Sequence, residues 1–147
     1  MLLRIEPEVL ILLIPVLLFA LCFHEFAHAW VAFKLGDPTS KNSGRLTLNP
    51  MAHLDPMGTM LILFIGIGYA KPVPVNPMNL NNPRTDMIKV AAAGPISNFI
   101  LSFIGVLFYT FFIKIGLLSE NYQQFFSIFI TINTWLGLFN LIPIYPL

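Results

Sequence analysis

The sequence predicts an all-α polytopic membrane protein with three long transmembrane helices, a short re-entrant or partly inserted segment and a small β element. Three observations carry that expectation. Hydrophobic residues make up 56% of the chain and charged residues only 10%, whereas a soluble domain carries about 25% charge. Apolar runs at residues 9–33, 87–114 and 122–141 are each long enough for the roughly 30 Å hydrocarbon core of a bilayer. A fourth apolar run, residues 58–70, is too short to cross comfortably. The formal net charge of +1 leaves no basic footprint for nucleic acid. The single cysteine, Cys22, excludes an internal disulfide and reads as a buried apolar thiol.

The first run holds Pro15, tolerated in a membrane helix because neighbouring helices satisfy the freed carbonyl. Arg4 before it and Ala27-His28-Ala29 within it resemble a signal peptide and its cleavage site. Glu6 and Glu8 in the leading region and the length of the run argue instead for a retained helix. Inside this run lies His24-Glu25-Phe26-Ala27-His28. On a helix, residues four apart differ by about 40° of rotation and roughly 6 Å of rise, so His24 and His28 share a face and Glu25 adjoins it. Imidazole is a preferred zinc ligand, and a carboxylate beside zinc can take a proton from an activated water. Such side chains are costly at bilayer depth unless paired, coordinated or functional. His28 stands roughly 8 Å and His24 roughly 14 Å from the end of the run, so the proposed metal lies within the membrane but nearer one surface.

Residues 34–56 turn polar. Arg45-Leu46-Thr47-Leu48 alternates and predicts one short strand. His53 and Asp55 in this loop are either further ligands or a solvated capping pair. Gly66 and Gly68 weaken any helix in residues 58–70, which suits re-entry. The prolines of Lys71-Pro72-Val73-Pro74-Val75-Asn76-Pro77 enforce extended backbone, either a rigid connector or an edge that pairs with a substrate strand. In the second long run, Ala91, Ala92, Ala93, Gly94, Ser97 and Ser102 permit close helix approach. Asn98 there is interhelical glue or a donor to substrate or intermediate. After the third run the chain stops in apolar sequence, which predicts a C-terminally truncated piece of one membrane-embedded core spanning residues 1–147.

Basic residues set the expected topology. Lys34, Lys41 and Arg45 lie in one segment and Lys71, Arg84 and Lys89 in another, against Arg4 and Lys114 elsewhere. If residues 58–70 re-enter rather than cross, both basic segments share the cytoplasmic side. The His pair and residues 140–147 then converge near that face.

These residues resemble the site-2 protease family of membrane-embedded zinc metalloproteases. The likeness covers His24-Glu25-Phe26-Ala27-His28, Ala70-Lys71-Pro72-Val73-Pro74-Val75-Asn76, Ala93-Gly94-Pro95-Ile96-Ser97-Asn98 and Asn140-Leu141-Ile142-Pro143-Ile144-Tyr145-Pro146-Leu147. The resemblance implies that Zn2+ is held by His24 and His28, with Glu25 as catalytic base. It implies that Asn140 positions substrate or stabilises the intermediate, and it matches Asn98 to another family asparagine. It also implies a third ligand, an Asp, immediately after Leu147; without it the chain as given is expected to be inactive unless His53, Asp55 or another chain substitutes. The implied substrate is a transmembrane protein, the setting a prokaryotic cytoplasmic membrane with the site nearer the cytoplasmic side, and the partners are lipid and regulatory membrane proteins, with no nucleic acid. The rival expectation is a non-catalytic membrane metal binder or transporter, against which stands the want of ionisable groups along the last two helices. A catalytically dead scaffold is the third.

Overall fold

A computed structural model describes residues 6–55, 57, 58 and 71–142. Three long helices dominate: α1 (Pro7–Lys34), α4 (Pro83–Lys114) and α5 (Glu120–Leu141), with one-turn helices α2 (Thr39–Asn42) and α3 (Pro50–His53) and a 3-10 turn (Pro77–Asn79) in the polar connection. The three long helices are apolar and long enough to cross a membrane. Their boundaries agree with the three runs expected from sequence. The expected re-entrant segment, residues 58–70, lies almost wholly outside the described residues.

The outer surface fits a lipid solvent rather than water. Ile11, Phe103, Phe108, Phe111, Ile113 and Phe139 are each more than half exposed, an apolar cover that monomeric soluble proteins do not present to water. Between the helices the polarity is inverted. Asn98 and Asn133 are fully buried, and Ser97 and Ser102 nearly so. Ser102 on α4 bonds Thr134 on α5 at 2.7 Å, the interhelical polar contact that small-residue membrane interfaces favour. α4 packs against both α1 and α5.

Helix ends are closed by local chemistry. After α1, Gly36 sits at φ +107°, where a residue without Cβ avoids the left-handed penalty. Its N–H donates to the Phe33 carbonyl at 3.2 Å and that of Asp37 to the Ala32 carbonyl at 2.9 Å, closing the helix with a Schellman motif. At the start of α4, the Asp86 carboxylate accepts the Asn82 N–H at 2.8 Å and pairs with Lys89 at 2.7 Å.

The expected strand at residues 45–48 does not form, and there is no strand among the described residues. Arg45, only 8% exposed, turns inward and donates from Nη2 to the carbonyls of Lys71 (3.0 Å) and Pro72 (3.1 Å). Its backbone N–H bonds the Ser40 carbonyl at 2.8 Å, and the Thr47 carbonyl accepts from His53 Nε2 at 2.8 Å. The groups that a ladder would require are engaged locally, so period-two alternation reflects one inward arginine rather than pairing.

Residues 71–76 form an extended strap, as the prolines require, fastened along its length. Lys71 N–H donates to the His53 carbonyl at 2.8 Å, and Ser40 Oγ to the Pro74 carbonyl at 2.5 Å. Asn76 N–H donates to Asp37 Oδ2 at 2.7 Å, and Asn79 Nδ2 to Asp37 Oδ1 at 2.9 Å. Thr39 adds two more donors to this carboxylate, its N–H and its hydroxyl both reaching Asp37 Oδ1. Asn81 N–H donates to the Leu35 carbonyl at 3.0 Å, so both ends of the connection meet at one end of the bundle.

Burial pushes the Asp37 carboxyl up, but the donors from Thr39, Asn79 and Asn76 outweigh it and hold the group below its ordinary value of 3.8. A depressed carboxyl stabilises the folded state above the unfolded pKa and loses that contribution as pH falls through the folded value. Amide exchange at Asn76 and Thr39 should therefore be slow and pH-insensitive in protection above the ordinary carboxylate range. Protection should drop in more acidic solution, and Asp37→Asn should remove the pH dependence; a protection profile unaltered by that substitution would show that Asp37 does not fasten the strap.

Candidate metal centre and active site

The central residues stand where α1 meets the first half of α4. His24, 6% exposed, and the half-buried His28 present their Nε2 atoms to each other at 3.0 Å. Each ring is fixed from behind by an oxygen on α4. His24 Nδ1 donates to Asn98 Oδ1 at 2.5 Å, and His28 Nδ1 donates to the Val90 backbone carbonyl at 2.6 Å. A backbone carbonyl only accepts, so the Val90 contact requires the proton on Nδ1 of His28 and leaves its Nε2 lone pair bare. With the same arrangement at His24, two lone pairs face each other.

That is a repulsive pairing unless a cation lies between them. Zinc takes neutral imidazole nitrogen at about 2.0–2.1 Å, so two nitrogens 3.0 Å apart can share one ion. Outer hydrogen bonds from ligating histidines to carbonyl oxygens are the usual means of fixing tautomer and ring plane. The donor set therefore suits a zinc ion. Among the described residues no group of three or more His, Cys, Asp or Glu side chains gathers at one point. His53 is placed on α3, with Nε2 directed to the Thr47 carbonyl, and the Asp55 carboxylate accepts the Gly58 N–H at 2.8 Å.

Glu25 lines the same open cavity as the two histidines, a space of about 680 Å³ that is also bounded by Val73, Val75 and Asn140. Its Oε2 accepts the backbone N–H of Val73 at 3.1 Å. The strap thus reaches the carboxylate directly, while Arg45 holds the two carbonyls just before Val73. Asn140, near the end of α5, donates from Nδ2 to the Leu136 carbonyl at 2.8 Å. An amide NH2 carries two donors, so among the described residues one N–H is not engaged and can serve a molecule in the cavity. Asn98 is not on the cavity wall. Its Oδ1 faces His24 and its Nδ2 reaches Asn133 Oδ1 at 3.1 Å and the Ala20 carbonyl at 3.4 Å.

Three contributors have no mark of their own in the sequence reading. The Val90 carbonyl is a main-chain group and any residue type would supply it. Arg45 reads only as a strand residue and one of the basic residues that set topology. Asn133 is a carboxamide within the apolar stretch of α5, the same kind of signal that singles out Asn98.

The "Peptidase family M50" profile matches residues 12–122. The chain belongs to peptidase family M50. This is the family that the motifs resemble. Among curated M50-type relatives, "Putative zinc metalloprotease YwhC" of Bacillus subtilis is 49% identical over 140 residues, covering 92% of this chain and 64% of that protein. "Putative zinc metalloprotease Rip2" of Mycolicibacterium smegmatis is 35% identical over 99 residues, covering 64% of this chain and 38% of that protein. The Rip2 of Mycobacterium tuberculosis is 32% identical over 100 residues, with the same two coverages. The chain thus spans less than two thirds of the length of these relatives. No solved structure matches it.

Gly94 makes the histidine pair's position possible. A Cβ at residue 94 would overlap Nε2 of both His24 and His28. On an exposed helix Gly→Ala gains up to about 1 kcal/mol; here overpacking costs about 1–3 kcal/mol, and the ring nitrogens must move. Gly94→Ala in the full-length protein should weaken Zn2+ binding at least about tenfold, the equivalent of 1.4 kcal/mol. Competition against a chelating dye reads this out, and undiminished affinity would show that the two nitrogens do not meet at Gly94.

Proposed function

We propose that the chain is the membrane core of a zinc-dependent intramembrane protease acting on transmembrane proteins, with Glu25 as general base. The observation that carries this reading is the pair of Nε2 atoms 3.0 Å apart, each with Nδ1 tied to a carbonyl oxygen, opening on the cavity that Glu25 lines. Zinc, when bound, activates water and polarises a carbonyl. His24 and His28 hold it through Nε2. The Val73 N–H holds one carboxylate oxygen of Glu25, and Oε1, which has no hydrogen bond among the described residues, would accept a proton from the attacking water and return it to the leaving amine. Asn140 offers its second amide N–H to the developing oxyanion. Asn98 serves the site from behind, through His24. The active site lies nearer the cytoplasmic face of the membrane, as the distribution of basic residues favours, and lipid surrounds the three long helices.

A substrate helix must unwind before its peptide bond is accessible, since its carbonyls are hydrogen-bonded. The strap suits that task. Val73 and Val75 both line the cavity, and among the described residues the Val75 N–H makes no hydrogen bond. An unwound segment laid along residues 73–75 would accept from that N–H and be held extended.

Glu25→Gln in the full-length protein should reduce kcat for a transmembrane substrate by about 10²–10⁴-fold, the usual contribution of a general base, while zinc stays bound. Cleavage at the wild-type rate by the zinc-loaded variant would end the base assignment. Val75→Pro keeps the extended backbone that Pro72 and Pro74 already impose and removes one N–H. It should lower kcat/KM about fivefold, the worth of one net hydrogen bond of about 1 kcal/mol. An unchanged kcat/KM would exclude pairing at that position.

A further inference from the structure

We infer that Asn133, on α5, is a positioning residue for the metal ligand His24, acting through Asn98. The inference rests on the zinc reading of the histidine pair and concerns which proton His24 carries.

Asn133 is fully buried. Its Nδ2 donates to the Phe129 backbone carbonyl at 2.9 Å, and its Oδ1 accepts from Asn98 Nδ2 at 3.1 Å. Asn98, also fully buried, accepts from His24 Nδ1 at 2.5 Å. The two ends of an amide look alike, so its orientation has to be fixed by partners of known polarity. The Phe129 carbonyl is such a partner because it can only accept. It requires the NH2 end of Asn133 to face it, which turns Oδ1 of Asn133 toward Asn98. That in turn requires the NH2 end of Asn98 to face Asn133 and its Oδ1 to face His24. His24 must then carry its proton on Nδ1, and Nε2 is left with a lone pair directed at His28. The 3.4 Å contact from Asn98 Nδ2 to the Ala20 carbonyl has the same sense but is longer.

Reversal of Asn98 would present an N–H to His24 Nδ1 and move the ring proton to Nε2, where it would occupy the position of the metal. One carbonyl on α5 therefore sets the tautomer of a ligand on α1 through side chains from two helices. His28 needs no such relay, since a main-chain carbonyl orients it directly.

A purely adhesive role for Asn133 makes a different prediction, and the neighbouring contact separates the two. Thr134 bonds Ser102 across the same α4–α5 interface at 2.7 Å without touching either histidine. Purified full-length protein carrying Asn133→Leu or Thr134→Val is compared with wild type in two measurements. In zinc competition, Asn133→Leu should bind about 10–100-fold more weakly, the usual effect of losing an outer partner of a ligand, while Thr134→Val stays near wild type. In metal-free protein with 15N-labelled histidine, His24 should be the Nδ1–H tautomer in wild type and Thr134→Val and a mixture in Asn133→Leu.

Equal weakening in both variants, or an unchanged tautomer in Asn133→Leu, would overturn the proposal. Should Asn133→Leu not fold, an Nε2–H His24 in the wild type would overturn it just as well, and an Nδ1–H His24 together with a mixed tautomer in Asn133→Ala would support it. Absence of zinc binding by the wild type would instead remove the zinc reading itself, and the tautomer measurement would still judge the relay.

Discussion

Two imidazole lone pairs directed at one point impose most of what is unusual in this bundle. Placing them 3.0 Å apart requires both rings to be held from behind, and the oxygens that hold them come from Asn98 and Val90, both on α4. α4 must therefore approach α1 closely at residue 94, where only a glycine leaves room for the two Nε2 atoms. The carboxamide that orients His24 must itself be satisfied in a medium without water, and it turns to Asn133 on α5. Asn98 and Asn133, both fully buried in the membrane core, each have a partner one step nearer the histidines. Unpaired, each would cost on the order of several kcal/mol in hydrocarbon.

The polar connection has a second constraint, the position of Glu25. Its carboxylate is oriented by a main-chain N–H, so the main chain at Val73 has to be fixed. Prolines at 72 and 74 set the backbone; Arg45 fastens it before that point, and Ser40 and Asp37 fasten it after. The Asp37 clip lies directly beyond the end of α1, reached through the Gly36 turn. One helix thus presents the carboxylate, and its own C-terminal turn anchors the strap that orients it.

The sequence disclosed the elements whose signal is local. The three spans follow from length and apolarity, and the meeting of His24 with His28 from their spacing on one helical face, with Glu25 on the adjoining one. The convergence of residue 140 with the histidine pair follows from counting crossings, and the cavity brings them together. What was illegible depends on pairing between distant segments. The alternation at residues 45–48 suggested a strand because it carries no record that Arg45 folds inward onto Lys71 and Pro72. Asn98 could be noticed as polar in an apolar helix, but the choice between interhelical contact and substrate donor needed its three partners, His24, Asn133 and Ala20. The roles of Asn133 and of the Val90 carbonyl depend on which turn of α4 faces which turn of α1 and α5, which no single run encodes.

The arrangement around Glu25 also bears on the choice between a protease and a passive metal binder. A binder needs ligands and their outer partners, and His24, His28, Asn98 and the Val90 carbonyl would serve one fully. It has no use for a carboxylate placed on the adjoining face of the same turn, held at one oxygen by the strap and facing an open cavity of about 680 Å³. A carboxylate in that place is costly at membrane depth, and a transport path would require further ionisable groups along it. Among the described residues, the charged side chains of α4 and α5 stand only near their ends, at Arg84, Asp86, Lys89, Lys114 and Glu120. Between those ends the polar groups are amides and hydroxyls that hold helices together. Among the described residues Glu25 is the one ionisable group that lines the cavity beside the histidine pair, a placement that favours the proposed protease over a passive binder.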